Sequence, residues 1–193
     1  MFLNMNRLTQ KQMFNVTFIG DSFVGKTMIV NAFLENPFSD KYDATVGAAM
    51  IKIESKVDSN EDPVCLYIWD TGGQERYKSL APVYYRNSNA AVIVYDVSAR
   101  KTFESISGWY DLYRDKTGSL DNKIILVGNK IDLRENDKDN SNFVDAESGK
   151  DYADKLGCEF FETSAKTNEN IKDLLTRLIQ MAQLINEPSH LPT

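Results

Sequence analysis

Histidine is nearly absent from this chain: of 193 residues, only His190 in the last segment carries an imidazole. A serine-histidine-aspartate triad and a multi-histidine metal centre therefore have no supply. His190 itself reads as a solvated tail residue beside two prolines. The two cysteines, Cys65 and Cys158, are too few for a disulfide framework or a thiolate zinc site. As free thiols they are expected to serve as small hydrophobes in a reducing compartment. No apolar run approaches the roughly 20 residues of a bilayer span, and the start MFLNMNRLTQKQ has no signal-peptide core, so a cytoplasmic location is expected. Phe2 stands where N-myristoylation needs glycine, and no cysteine after Cys158 is there to take a prenyl group. Positive charge is also in deficit, with 22 Lys and Arg against 28 Asp and Glu for a net charge of −6. That balance disfavours a general nucleic-acid binder.

What is present is an ordinary globular composition, 42% apolar and 26% charged, of a size for one domain. Apolar, β-branched runs alternate with helix-like segments, the mark of an open α/β sheet. Strands are expected at 15–19, 49–56, 64–69, 90–95, 123–127 and 159–161. The unalternating run Ile124, Ile125, Leu126, Val127 suits a strand covered on both faces. Helices are expected at 26–34, 101–114, 145–156 and 170–185. In the last, Ile171, Leu174, Leu175, Leu178, Ile179 and Ala182 recur on one face. DSNEDP at 58–63 reads as a turn between strands, and RENDKDNSN at 134–142 as an exposed loop. Residues 1–13 are expected to be an extension, 14–186 the domain and 187–193 a disordered tail.

Three motifs carry chemistry. Gly20-Asp21-Ser22-Phe23-Val24-Gly25-Lys26-Thr27 fits GxxxxGK[ST] at a strand-to-helix junction. Its backbone N–H groups and the following helix terminus form an anion nest reaching to Met28. Lys26 would bridge β- and γ-phosphates and the Thr27 hydroxyl would ligate Mg²⁺. Next, 64–69 leads into Asp70-Thr71-Gly72-Gly73-Gln74. Asp70 can hold the Mg²⁺ shell, Gly73 can bring its N–H to the γ-phosphate, and Gln74 can orient an attacking water. The third motif reads the base. After 123–127 comes Asn129-Lys130-Ile131-Asp132, whose final carboxylate can accept both N1–H and N2–H₂ of guanine. Adenine would leave that acid unpaired, a mismatch costing on the order of 10⁴-fold. Glu162-Thr163-Ser164-Ala165-Lys166 then completes the nucleotide set, with the Ala165 N–H available to guanine O6.

These motifs, with WDTGGQERY, the YYR of Tyr84, Tyr85 and Arg86, and ETSAK, make the chain resemble a Ras-superfamily small GTPase of the Rab family from about residue 14 to 185. Thr45-Val46-Gly47-Ala48-Ala49 and the run QERYKSLAP resemble the early-endosomal Rab branch. The resemblance implies a P-loop NTPase G domain with a mostly parallel six-stranded sheet and helices on both faces. It implies that Phe38 packs on guanine, that Tyr42 lies near the phosphates, and that Thr45 joins Mg²⁺ in the GTP state. Met50, Trp69 and Tyr84 match an effector-reading triad beside Val46 and Gly47. Phe103, Trp109 and Tyr110 carry no implied role beyond packing. The implied chemistry is hydrolysis of GTP to GDP by in-line attack of water, with Lys26, Mg²⁺ and backbone N–H groups stabilising the phosphoryl charge. Implied partners are an exchange factor, a GTPase-activating protein and Rab effectors, acting on a monomer in endosomal vesicle traffic. Membrane attachment requires lipidation outside this sequence, and truncation after Thr193 is the expected reason that no prenylated cysteine is seen.

Three positions depart from that family's usual text. Phe23 replaces a small residue, Gly72 an alanine and Met50 a phenylalanine. Gly72 adds backbone freedom before Gly73, and Met50 exchanges aromatic area for flexibility. Two other readings stay open on residues alone: a different P-loop enzyme, and a GTPase-shaped binding module that has lost cycling through Phe23 or Gly72. A bulky Phe23 beside the phosphates is expected to loosen the nucleotide. Phe23→Ala should release GDP more slowly than the parent chain in stopped-flow displacement, and equal rates would contradict this.

Overall fold

The computed structural model describes residues 13–39, 45, 47–55, 63–72, 84–118, 123–136 and 142–186. In chain order these form β1 (Met13–Ile19), α1 (Lys26–Phe33), β2 (Ala48–Ser55), β3 (Val64–Thr71), β4 (Ala90–Asp96), α2 (Arg100–Glu104) and α3 (Ile106–Thr117). There follow β5 (Lys123–Asn129), a 3₁₀ helix (Ile131–Asn136), α4 (Ala146–Leu156), β6 (Glu159–Thr163) and α5 (Ile171–Asn186). The strands make one six-stranded sheet in the order β2-β3-β1-β4-β5-β6. Only β2 and β3 pair antiparallel, with Met50 opposite Trp69; a short connection permits this, whereas the parallel pairs need helical crossovers.

The sheet is covered on both faces, as expected. β4 is buried along its whole length, and its side chains alternate between two cores. Val92 and Val94 join Phe18, Leu66 and Ile68 beneath α1 and α5, which contribute Ile29, Phe33, Leu174 and Leu178. Ile93 and Tyr95 join Leu126 on the other face beneath Ile106, Trp109 and Tyr113 of α3 and Ala153 of α4. Among the described residues no helix is long and apolar enough to cross a membrane.

The structure differs from the sequence-based boundaries in three ways with physical causes. Strands β3, β4, β5 and β6 run on through Thr71, Asp96, Asn129 and Thr163. Polar residues can stay in a buried ladder when their side chains are hydrogen-bonded, and those of Thr71, Asp96, Asn129 and Thr163 all are. The single helix expected at 101–114 is two pieces meeting at Ser105. The Ser105 hydroxyl donates back to the Lys101 carbonyl at 2.9 Å, a local bond that competes with and bends a helix. The stretch expected to be an exposed loop from 134 begins instead in the 3₁₀ helix, where Arg134 pairs with Glu162 at 2.6 Å. In addition, Met13, assigned to the extension, pairs with Cys65 in the sheet. Most of the 58–63 turn and the 187–193 tail lie outside the described residues.

Leu178 is fully buried between α5 and the sheet. Leu178→Ala should cost about 2–5 kcal/mol in urea unfolding of the nucleotide-loaded protein, and a loss below about 1 kcal/mol would contradict the packing of α5.

Candidate nucleotide-binding site

The carboxyl ends of β1, β3, β4, β5 and β6 share one edge of the sheet, the edge at which open α/β sheets bind ligands. A cleft of about 300 Å³ opens there. Its floor is the loop from Gly20 to Gly25, and both motif glycines are required by geometry. Gly20 has φ 138°, and a Cβ on it would lie 2.2 Å from the Val94 carbonyl oxygen. Gly25 has φ 99°, and a Cβ there would lie 2.3 Å from Asn129 Nδ2. Between them Phe23 adopts φ 64°, a left-handed conformation costly for a bulky side chain. The residue is 64% exposed and lines the cleft with Ser22 and Met28. Val24 turns its side chain into the core, leaving its backbone to the site. Helix α1 starts at Lys26 with no side-chain cap on Gly25, so its first N–H groups face the cleft uncapped.

Lys26 is buried, with Nζ donating to the carbonyls of Gly20 at 2.9 Å and Asp21 at 2.7 Å. Burial pushes its ammonium down to about 8, against the opposing charges of Asp70 and Asp21. Beside it, three expected cation ligands converge. Thr27 Oγ1 donates to Asp70 Oδ2 at 2.5 Å and lies 3.0 Å from Thr45 Oγ1. Among the described residues Asp70 Oδ1 is buried without a hydrogen-bond partner. Burial raises the Asp70 carboxyl above its ordinary range, while Thr27, Lys26 and Thr45 act the other way. A buried carboxylate oxygen lacking a donor, next to two hydroxyls, is a set that suits a hard divalent cation such as Mg²⁺.

At the other end of the cleft Asn129 is 1% exposed and bonded through both ends of its amide. Its Nδ2 donates to the Val24 carbonyl at 2.9 Å. Its Oδ1 accepts from Thr163 Oγ1 at 3.1 Å and from the Ala165 N–H at 3.2 Å. The Ala165 N–H expected to serve guanine O6 is thus already engaged, so an O6 contact requires that donor to be shared. Asp132 Oδ1 accepts from Ser164 Oγ at 2.6 Å, which fixes the carboxylate at the rim of the cleft. Asp132, Lys166 and Phe38 all line the cleft. Gly73, Gln74, Tyr42 and Val46 lie outside the described residues.

The positions expected to read effectors also meet. Trp69 and Tyr84 stack with ring centroids 5.4 Å apart, and Met50, opposite Trp69 in the sheet, is 53% exposed. The Gly47 carbonyl accepts the Gly72 N–H at 2.8 Å, tying the two segments that flank this patch.

Sequence reasoning missed three supports. Asp96 pairs with Lys130 Nζ at 2.6 Å and accepts from Ser98; its signal was an acid ending a buried strand, as Asp70 does. Arg134 makes a two-pronged contact with Glu162 at 2.8 and 2.6 Å, bracing the Asp132 and Ser164 segments. Trp109, read as packing alone, donates from Nε1 to Asp21 Oδ1 at 2.7 Å. Nothing in local sequence spacing signals a contact across 88 positions.

The Ras family model matches residues 15–184. GTP-binding protein YPT52 of Saccharomyces cerevisiae is 38% identical over 182 residues, covering 83% of this chain and 78% of that protein. GTP-binding protein ypt5 of Schizosaccharomyces pombe is 41% identical over 167 residues, covering 86% and 76% respectively. Ras-related protein Rab-21 of Homo sapiens is 38% identical over 177 residues, covering 89% and 74%. With its motifs, its sheet and these relatives in agreement, the chain belongs to the Ras family of small GTPases, in the Rab branch.

Proposed function

We propose that the cleft at the carboxyl edge of the sheet holds one guanine nucleotide, with phosphates over Gly20–Thr27 and the base at Asp132. The protein is a small GTPase switch that binds GTP and GDP, hydrolyses GTP to GDP and regulates vesicular traffic through effectors. The observation that carries the placement is that a single cleft is lined by Lys26, Thr27 and Thr45 and also by Asn129, Asp132 and Lys166. Residues 14–186, together with Met13, constitute the working domain.

In this reading the backbone N–H groups from Asp21 to Met28 hold the phosphates, and Lys26 turns its ammonium from loop carbonyls to phosphate oxygens. Such pre-aimed donors in a water-poor site stabilise charge developing on the γ-phosphoryl group. Thr27, Thr45 and Asp70 hold Mg²⁺, which when bound supplies Lewis-acid neutralisation of phosphate charge. Gln74 is too weak a base to remove a proton, so it orients the attacking water, and Gly73 offers its N–H to the γ-phosphate. Phe38 covers the base, while Lys130, steered by Asp96, and Lys166 flank it. Intrinsic turnover is slow, and an arginine from an activating protein accelerates it roughly 10³- to 10⁵-fold.

The switch follows from the same contacts. The γ-phosphate draws Thr45 and Gly73 inward, and ordering of their segments presents Val46, Gly47, Met50, Trp69 and Tyr84 to effectors. An exchange factor reloads the site. The protomer acts as a monomer on endosomal vesicle membranes. The intact Lys26, Thr27 and Asp70 constellation favours this cycle over a non-cycling binding module.

Gln74→Leu should slow single-turnover hydrolysis by at least about tenfold while leaving GTP affinity within about twofold; an unchanged rate would remove Gln74 from the chemistry. Asp132→Ala should lower GDP affinity by roughly 10²- to 10⁴-fold in isothermal titration. Retained affinity would place the base elsewhere.

A further inference from the structure

The turn that opens the phosphate loop is held from outside the loop by one helix. Asp21 follows Gly20, whose backbone no L side chain could adopt without meeting Val94, and precedes by two residues the left-handed Phe23. Such a turn does not hold itself in place on local preference. Asp21 is tied at both ends. Its carbonyl accepts from Lys26 Nζ at 2.7 Å, and its carboxylate accepts from Trp109 Nε1 at 2.7 Å. The first tie is lost if Lys26 turns to phosphate oxygens, as proposed above. The second persists.

Trp109 is suited to that task. It is 5% exposed and packed in the core beneath α3 with Ile106 and Tyr113. Four residues on, the Tyr113 ring packs against Tyr85 with centroids 5.6 Å apart and planes tilted by 60°, so this face of α3 is packed on both sides of the indole. A bond from a rigid, buried donor to a carboxylate is among the stronger neutral-to-charged hydrogen bonds.

We propose that Trp109 is a positioning residue for the nucleotide: its indole N–H clamps the Asp21 carboxylate and holds the phosphate loop in its binding conformation, slowing nucleotide release. This rests on the reading of Gly20–Thr27 as the phosphate loop. It assigns α3, which touches no nucleotide in that reading, a direct part in setting residence time.

The test is a double-mutant cycle on release of labelled GDP from the full chain in the presence of Mg²⁺. Trp109→Phe and Asp21→Ala should each accelerate release by on the order of tenfold. The double variant should be no faster than either single, because both remove the same bond. Tyr113→Phe, one turn away, should release GDP as the parent does. The chain has two tryptophans, so nitrogen-edited NMR gives two indole N–H signals, and that of Trp109 should shift and lose exchange protection in Asp21→Ala. Multiplicative acceleration in the double variant, or a Trp109 indole signal indifferent to Asp21→Ala, would overturn the clamp; the second readout stands even if Trp109→Phe does not fold. A parent chain that binds no GDP would instead overturn the phosphate-loop reading.

Discussion

The side-chain amide of Asn129 is the interaction on which the site depends. It is buried at the end of β5 and bonds to Val24 in the Gly20–Thr27 loop, to Thr163 at the end of β6 and to Ala165 just beyond it. These segments are remote in sequence, and the sheet alone brings only their strands together. Each bond is worth about 1 kcal/mol net, but leaving its buried partners unsatisfied costs about 1–3 kcal/mol apiece. The amide therefore fixes the spacing between the proposed phosphate and base ends of the cleft. It also explains Gly25, since any side chain there would occupy the position of Asn129 Nδ2. The glycine that the motif demands and the asparagine that ends β5 are two halves of one contact.

Around that staple the protein places charge where burial resists it. Lys26 is depressed and Asp70 raised, both chiefly by loss of water. Among the described residues Asp70 has one oxygen without a donor. Each group is held short of full satisfaction by the fold and completed by a phosphate and a cation in the proposed function. A site built this way orders itself when its ligand arrives and loosens when charge leaves, which is the physical basis of a switch. The Gly47–Gly72 backbone bond and the Trp69–Tyr84 stack lie beside these groups, so rearrangement at the phosphates has a short path to the exposed Met50.

The cleft residues Gly20–Thr27 and Asn129–Asp132 were legible beforehand because each set is adjacent in sequence and its pattern depends on backbone spacing. The strand cores were legible for the same reason, as runs without alternation. What could not be read depends on pairing at a distance. Strand ends were underestimated because Asp70, Asn129 and Thr163 look like loop residues until their partners are known. Arg134 looked solvated within a charged run, although Glu162 holds it. Trp109 looked like packing, which it is, but its nitrogen faces Asp21 only because α3 crosses behind the loop. The split at Ser105 came from a single hydroxyl bond to Lys101, which periodicity does not register.

The central claim is that this one cleft reads guanine through Asp132 while gripping phosphates through Lys26. Its most direct measurement is competition for labelled GTP on the Mg²⁺-containing full chain. Unlabelled GTP or GDP should displace the label at stoichiometric levels, and a thousandfold excess of ATP should not. Displacement by ATP at concentrations similar to GTP would contradict it.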